Sequence, residues 1–456
     1  MKCFESNEIA KLMHAYASAE PFRKPEKTNP AHPWERPLRG NDLSGLDLES
    51  PLAAGELATN RSLFFQRMLL NVYEQSMLYL PRAKLGEAEM QAFQAFYDAI
   101  LVGFGEQLRV PLENLTFSFL DREVEVTGKW DGPLLEKYFL DVIAEQNTKP
   151  IPTIERALES RSPGRLFKYL LVQEAADHFS EASPMARALL GNFGPIQSEL
   201  LKIFIDEYGY GVHAKKHSTL FEACLSSLEV KNGVHDHFIH YMPSSLALTN
   251  YFHYLTINKR LWFRYLGALF YTEASIPHYH KLMSAALKRV FGDGVDTAYF
   301  DEHVHIDGHH SRMVLKDLIL PTITTHGPNI IPEILLGFSQ FRFLQEIADT
   351  DLLAQFDFID ELDVQMACGP ENALAVYSRT GEIATFVEPK GEISYSHIHD
   401  DAELFTVESG TLDLIVGLEP IGMEAGQAVV FPPGRLHGTI VTSDSCTYRV
   451  ERLEAK

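Results

Sequence analysis

Ten consecutive residues, Asp301-Glu-His303-Val-His305-Ile-Asp307-Gly-His309-His310, carry seven side chains able to bind a metal. The flanking pattern is helical, with Gly308 the one mark against it. On a helix of 3.6 residues per turn, His303, Asp307 and His310 fall within an arc of about 60°. Two imidazoles and a carboxylate on one helical face make half of a first-row metal site. The other half must come from elsewhere in the chain, and a bundle of helices is the architecture that brings such halves together.

Acids in apolar helical stretches are the natural complement, because an unpaired buried carboxylate is costly. Glu207 in Ile205-Asp-Glu-Tyr and Glu273 in Phe270-Tyr-Thr-Glu-Ala meet that description, and Glu181 in Ser180-Glu-Ala-Ser-Pro is a further candidate. His213 and His217 are i and i+4, so either could ligate. Glu181, Glu207, Glu273 and Asp307 together bring four negative charges, which balance two Fe(II). His235, Asp236, His237 and His240 also look ligand-like. They follow Lys231-Asn-Gly and read as a solvated connection.

Near the C-terminus the pattern changes. Short alternating runs punctuated by Gly and Pro follow residue 366: Ala375-Val-Tyr-Ser, Ile383-Ala-Thr-Phe-Val, Thr411-Leu-Asp-Leu-Ile-Val, Ala428-Val-Val-Phe and Tyr448-Arg-Val. They predict a small antiparallel β-barrel. Within it lie Gly391, five residues, His397-Ile-His399, three residues, Glu403, six residues and Gly410, then Gly426, five residues, Pro432-Pro433-Gly434, two residues and His437. Both intervals resemble the two cupin motifs, with Val441 standing where the second motif usually has Asn. On a strand His397 and His399 point the same way, into the barrel. Three neutral imidazoles would leave an Fe(II) with its full charge and open positions for substrate and O2. Glu403 is either a fourth ligand or a hydrogen-bonding partner of an imidazole.

Helices are predicted over about 6–19, 61–80 and 87–108, with an extended Pro- and charge-rich stretch over 21–40. From about 130 to 363 the pattern is almost all helix. One helix runs through Phe193, Leu200, Phe204 and Glu207 to the glycines at 209 and 211. A second spans Asn250–Glu273, and a third, Ala298–Leu320, is stopped by Pro321. No histidine lies between His32 and His178, whereas sixteen lie from His178 to His399. The first third therefore reads as a packing or dimerisation unit without chemistry of its own. A net charge of −22 with no basic stripe argues against nucleic acid. No apolar run is long enough to span a membrane, and the N-terminus lacks a secretory h-region. Four widely spaced cysteines give no disulfide framework, so the expected compartment is the cytoplasm.

Five segments carry a wider resemblance: Phe119-Leu-Asp-Arg-Glu-Val-Glu, Phe179-Ser-Glu-Ala-Ser-Pro-Met, Ile205 through Glu222, Tyr271-Thr-Glu-Ala-Ser, and His303 through Met313. In this order, with the cupin pattern behind them, they resemble the N-nitrosourea synthases of streptozotocin-type pathways over most of the chain. The resemblance implies a multidomain α+β protein. Residues 1–125 would form a helical N-terminal dimerisation region, 126–363 an all-α heme-oxygenase-like diiron oxygenase domain, and 364–456 a cupin β-barrel. Carried over residue by residue, it implies Glu181, Glu207, His217, Glu273, His303, Asp307 and His310 as ligands of two irons. It further implies His397, His399 and His437 as ligands of a third, with Tyr448 close to that iron as a catalytic residue. The implied activity has two stages. The diiron domain hydroxylates Nδ and Nω′ of Nω-methyl-L-arginine, and the cupin iron rearranges the product with O2 to an N-nitrosourea. O2 is a co-substrate, an external electron donor is required, and the partner is a homodimeric second copy. Competing readings are a diiron N-hydroxylase with a diverged cupin and a metabolite-binding cupin protein with a helical scaffold. A heme-degrading enzyme ranks last, because it needs one proximal histidine rather than four acids and three histidines around one pocket.

Overall fold

The computed structural model describes residues 6–23, 32–81, 84–180 and 182–456. Its helices are α1 (Ser6–Ala17), α2 (Asn60–Glu74), α3 (Glu87–Phe96), α4 (Ala99–Phe117), α5 (Leu120–Glu123), α6 (Gly132–Gln146), α7 (Pro152–Glu159), α8 (Pro163–His178), α9 (Ala182–Ala188), α10 (Pro195–Glu207), α11 (His217–Ser227), α12 (Pro243–Ile257), α13 (Trp262–Phe291), α14 (Ala298–Met313), α15 (Leu320–His326), α16 (Ile331–Cys368) and α17 (Glu371–Leu374). Eight strands follow: β1 (Tyr377–Pro389), β2 (Ile393–His397), β3 (Ala402–Ser409), β4 (Thr411–Ile415), β5 (Ile421–Glu424), β6 (Ala428–Phe431), β7 (His437–Val441) and β8 (Ser445–Ala455).

The bundle centres on α13 and α16, which cross with their backbones in contact. A Cβ at Gly337 would land on the Arg264 carbonyl, 2.6 Å from its carbon, and one at Gly267 would lie 2.8 Å from the Phe338 amide nitrogen. Only glycine permits that approach. Arg264 reinforces the crossing by pairing with Glu333 at 2.9 Å.

Several local expectations change. The stretch Asn250–Glu273 is divided between α12 and α13, because Asn258 leaves the helical region and its side chain donates to the Tyr254 carbonyl at 2.9 Å. The stretch 87–108 is likewise two helices, the second capped by Asp98, which accepts from the amides of Ile100 and Leu101. Pro321 does not stop α14. A π-helical turn over Val314–Ile319 carries the chain into α15, where Pro321 occupies the first turn.

The N-terminal third is not a separate unit. Fourteen of the fifteen residues of α2 are buried, and its Phe65, Met68 and Leu69 share one core with Tyr251 of α12, Leu266 of α13 and Phe338 of α16. The apolar faces behind the dimer expectation are thus covered within the chain. A second core runs from Leu63 and Leu70 of α2 through Phe167 and Phe356 into the barrel at Phe405, Phe431 and Tyr448. Residues 235–240 are also not a solvated connection. His235, His237 and His240 are buried, with His235 Nε2 2.6 Å from Glu74 Oε2 and His237 Nε2 2.9 Å from the Lys231 carbonyl.

The barrel consists of two antiparallel sheets ordered β1-β8-β3-β6 and β2-β7-β4-β5. Strands β2 and β7 pair with His397 directly opposite His437, beyond a register shift that begins at Ser394. Among the described residues no helix is long and apolar enough to cross a membrane.

Candidate metal centres

Helices α10, α11, α13 and α14 converge on one buried point. On α14 the helical period separates the histidines as expected: His303, Asp307 and His310 are buried, whereas His305 and His309 are exposed. Glu207 is the last residue of α10 and Glu273 sits mid-way along α13, both buried. His217 opens α11 and reaches the same point through a tight reversal. Gly209 has φ 57°, and a Cβ there would lie 2.6 Å from the Lys216 amide nitrogen. Tyr210, in the same turn, adopts φ 55°. The turn leaves His213 exposed and brings His217 inward to the cluster.

Two ligand groups result, each with donor atoms within 4.8 Å of one another: Glu207, His217 and His303, and Glu207, Glu273 and His310. Glu207 is common to both. Its Oε2 is 2.6 Å from His217 Nδ1 and its Oε1 is 3.4 Å from His310 Nδ1. Glu273 Oε2 and Asp307 Oδ1 lie 3.4 and 3.5 Å from that same His310 nitrogen. Glu181 lies outside the described residues.

The electrostatics fit cations at this point. Both Asp307 oxygens and His310 Nδ1 are buried without a hydrogen-bond partner, a costly arrangement unless a ligand satisfies them. Burial pushes Asp307 and Glu273 above the usual carboxylate range. Burial opposes charge on His310, yet Glu273, Asp307 and Glu207 hold it up to about 12. Burial, helped by His217, takes His303 down to about 3, the neutral form a metal requires.

Outer partners fix the ligand atoms. The Tyr299 carbonyl accepts from His303 Nδ1 at 2.7 Å, which presents Nε2 to the site. Asp206 Oδ2 lies 3.0 Å from His310 Nε2 and presents Nδ1. Asp206 is not among the candidates that the sequence offers, since nothing local distinguishes it from a solvated acid beside Glu207. A hollow lined by Glu207, Glu273, His303 and Asp307 together with Met185, Phe252, Tyr265 and Leu269 adjoins the cluster.

In the barrel, His397, His399 and His437 form a third group. His397 and His399 approach through their Nε2 atoms at 2.8 Å. The carbonyls of Tyr395 and Arg435 accept from Nδ1 of His397 and His437 at 2.7 and 2.9 Å. Glu403 Oε1 lies 3.2 Å from His399 Nδ1, on the side of the ring away from Nε2. It thus orients an imidazole. Burial, then His399, lowers His437 to about 3, and burial with the nearby Arg39 guanidinium puts His397 well below its ordinary value. His397 and His437 can therefore bind as neutral donors.

Tyr448 on β8 lies in the same cavity of about 1060 Å³, its ring stacked 5.2 Å from Phe386 and 4.9 Å from Phe405. Burial, then the Glu388 carboxylate, raises its pKa, so it is a neutral phenol. One wall was not foreseen: His14, Ser18, Arg23, Leu38 and Arg39 of the N-terminal third line this cavity, and Arg39 Nη1 donates to the Tyr395 carbonyl at 3.3 Å. No signal in the sequence ties that segment to the barrel.

A helical bundle holding a carboxylate-rich two-group metal cluster, fused to a three-histidine barrel, defines an iron-dependent oxygenase. Residues 168–345 match a family described as iron-containing redox enzyme, and residues 384–450 match the cupin domain family. The nitrosourea synthase of Streptomyces achromogenes subsp. streptozoticus is 41% identical over 428 residues, covering 93% of this chain and 91% of that protein. The chain belongs to the nitrosourea synthase family. A cupin-2 domain containing protein from Shewanella frigidimarina ncimb 400 matches 18% of this chain and 72% of its own at 23% identity, with a TM-score of 0.14, a likeness too small to add weight.

Proposed function

We propose that this iron oxygenase makes an N-nitrosourea from Nω-methyl-L-arginine in two stages. The bundle hydroxylates the guanidine Nδ and Nω′. The barrel rearranges the dihydroxylated guanidine with O2. Two irons in the bundle, held by Glu207, His217, Glu273, His303, Asp307 and His310 with Glu181 as a further ligand, and one in the barrel, held by His397, His399 and His437, supply the activation of O2 when bound. The observation that carries the reading is the pair of donor sets, the bundle set buried and the barrel set buried but for His399, each oriented by outer hydrogen bonds, in a chain 41% identical to a nitrosourea synthase.

The chain's own residues divide the remaining work. Asp206 and the Tyr299 carbonyl hold the bundle imidazoles in the tautomer that offers a lone pair inward. Met185, Phe252, Tyr265 and Leu269 keep water from the face where the guanidine nitrogen reacts. In the barrel, Tyr448 keeps its proton and donates to an oxygen of the hydroxylated guanidine. Arg39 faces it across the cavity as a positive charge.

The test uses one variant from each donor set. His303→Ala should abolish guanidine hydroxylation while the enzyme still converts supplied dihydroxylated substrate. His437→Ala should accumulate hydroxylated methylarginine without nitroso product. A folded, bundle-iron-loaded His437→Ala enzyme that no longer hydroxylates would refute two separate stages. A homodimer remains part of the proposal, now through exposed residues such as Leu78, Leu80 and Ile100. A monomer by light scattering would remove it.

A further inference from the structure

Beside the metal cluster the bundle contains another hollow, of about 200 Å³. It shares Asp177, His178, Thr272 and Ile276 with the hollow that Glu207, Glu273, His303 and Asp307 line. Thr272 and Ile276 flank Glu273 on α13, so the two spaces adjoin at a metal-binding carboxylate. The charged lining has one sign. Glu174, Asp177 and Asp349 face the hollow from α8 and α16, and no lysine or arginine lines it.

Acids alone would not make a site, but the wall also holds an unsatisfied polar atom: His280 is 1% exposed with Nδ1 lacking a hydrogen-bond partner, whereas His178 Nε2 already lies 3.4 Å from Glu174 Oε2. Other groups are already fixed in place. The Tyr279 hydroxyl donates to Glu174 Oε1, and Gln345 Nε2 donates to Asp349 Oδ1 at 2.9 Å. Tyr271, Tyr279 and Phe341 add aromatic faces.

We propose that this hollow is the binding site for the cationic guanidinium of the substrate, held by Glu174, Asp177 and Asp349 and aimed at the metal cluster past Thr272. The inference rests on the reading of the bundle as a guanidine N-hydroxylase. A planar guanidinium presents N–H donors in a fork that carboxylates match, and its face stacks on aromatic rings. The acids gain from the same contact. Burial, and the charge of Glu174, push Asp349 up to about 6, and burial with Glu174 also raises Asp177. A cation among them relieves both effects, whereas a neutral urea of the same shape relieves neither.

The experiment titrates iron-loaded enzyme, kept free of O2, with Nω-methyl-L-arginine and with L-citrulline, whose neutral urea replaces the guanidinium. Wild type should bind the guanidine about tenfold or more tightly than the urea, the scale of discrimination that charged, hydrogen-bonding pockets achieve. Asp349→Asn and Glu174→Gln, on separate helices, should each erase most of that preference. Citrulline affinity and iron content should not change, and in turnover KM should rise more than kcat falls. The barrel contributes equally to all three proteins, so the difference reports on this hollow. Undiminished discrimination in both folded variants would overturn the assignment and leave the two-stage reading standing. Loss of iron in step with affinity would also overturn it, marking the acids as supports of the metal cluster. Wild-type enzyme that neither binds nor hydroxylates the guanidine would overturn both.

Discussion

Replacing Gly337 by alanine should damage the iron cluster more than the fold. The new Cβ would fall on the Arg264 carbonyl, 2.6 Å from its carbon and 3.0 Å from its Cα. Carbon atoms rest about 3.5–4.0 Å apart, so α13 and α16 must part by about 1 Å at their crossing. Overpacking of this kind costs about 1–3 kcal/mol, and a backbone-to-backbone clash belongs at the top of that range. Unfolding entropy of about 2.1 cal/mol/K per residue gives a chain of 456 residues roughly 1 kcal/mol/K, so the melting temperature should fall by only about 3 °C. Glu273 lies six residues beyond Gly267, about 9 Å along α13, and moves with that helix. Glu207 is on α10 and does not. Metal constellations tolerate about 0.5 Å of displacement, so the shared geometry of Glu207, Glu273 and His310 should fail. The assay is iron per chain after desalting, with helicity by circular dichroism. Bundle iron and guanidine hydroxylation should be lost. The barrel iron should remain, because the first α16 residue hydrogen-bonded to the barrel is Asp351, fourteen positions further on. A Gly337→Ala enzyme with full bundle iron and wild-type hydroxylation would refute the chain of reasoning from crossing to cluster.

Three further outcomes follow from the geometry. Asp206→Asn should weaken iron binding at the Glu273–His310 group by about 10–100-fold, as removal of such outer partners does elsewhere, and metal titration will measure it. Gln355→Ala should loosen the turn that carries His437, since Gln355 exchanges two 3.0 Å hydrogen bonds with Leu436, so barrel iron should be lost more readily to a chelator while bundle iron is unaffected. Thermal stability should fall between pH 7 and pH 4. Burial holds His235 below 6.5, so the unfolded chain takes up its proton first, and Glu74, held far below 4.5 against burial by His235 and Arg36, loses its contribution in the acid range. Glu74→Gln should remove the part of the loss below about pH 4.5, steepen the fall above it by taking away the charge that holds His235 up, and cost about 3–5 kcal/mol at pH 7 by leaving the buried Arg36 charge uncompensated, while an unchanged pH profile would show that the network does not set it.

The parts of this architecture that were legible in the sequence are those governed by local periodicity. The 3.6-residue period alone separates His303, Asp307 and His310 from His305 and His309. The two-residue period, with Pro432-Pro433-Gly434 as a turn, predicts a barrel that gathers His397, His399 and His437; the barrel does so with His397 and His437 on paired strands, but β2 ends at His397 and His399 lies just past it. What was illegible depends on packing between distant segments. Asp206 acquires its meaning from a histidine 104 residues away. His235 looked solvated beside Lys231-Asn-Gly because its partner, Glu74, belongs to a helix that nothing local links to it. Pro321 read as a stop because a π turn cannot be seen in hydrophobic spacing. Arg39 reaches the barrel only through the fold, across 356 residues.

That same long-range packing changes what independence of the two sites can mean. Distinct folds suggested distinct modules, yet the histidine-bearing elements of the barrel are held from the bundle side. Arg67 of α2, buried, donates to the carbonyl of Ser396, next to His397, at 2.9 Å and to that of Ile239 at 3.0 Å. Arg435, two residues before His437, donates to Asp351 of α16 through both its backbone carbonyl and its carboxylate at 2.9 Å. Removing one partner of such a buried pair strands a charge, which costs far more than the pair contributes when intact. Substitution of a donor residue leaves these contacts in place, so a variant in one donor set should leave the other intact. Excision of the barrel would not separate them. It would expose Arg67 and Asp351 and open the core that runs from Leu63 to Tyr448. The fusion is therefore structural, and the barrel histidines depend on the bundle for their rigidity.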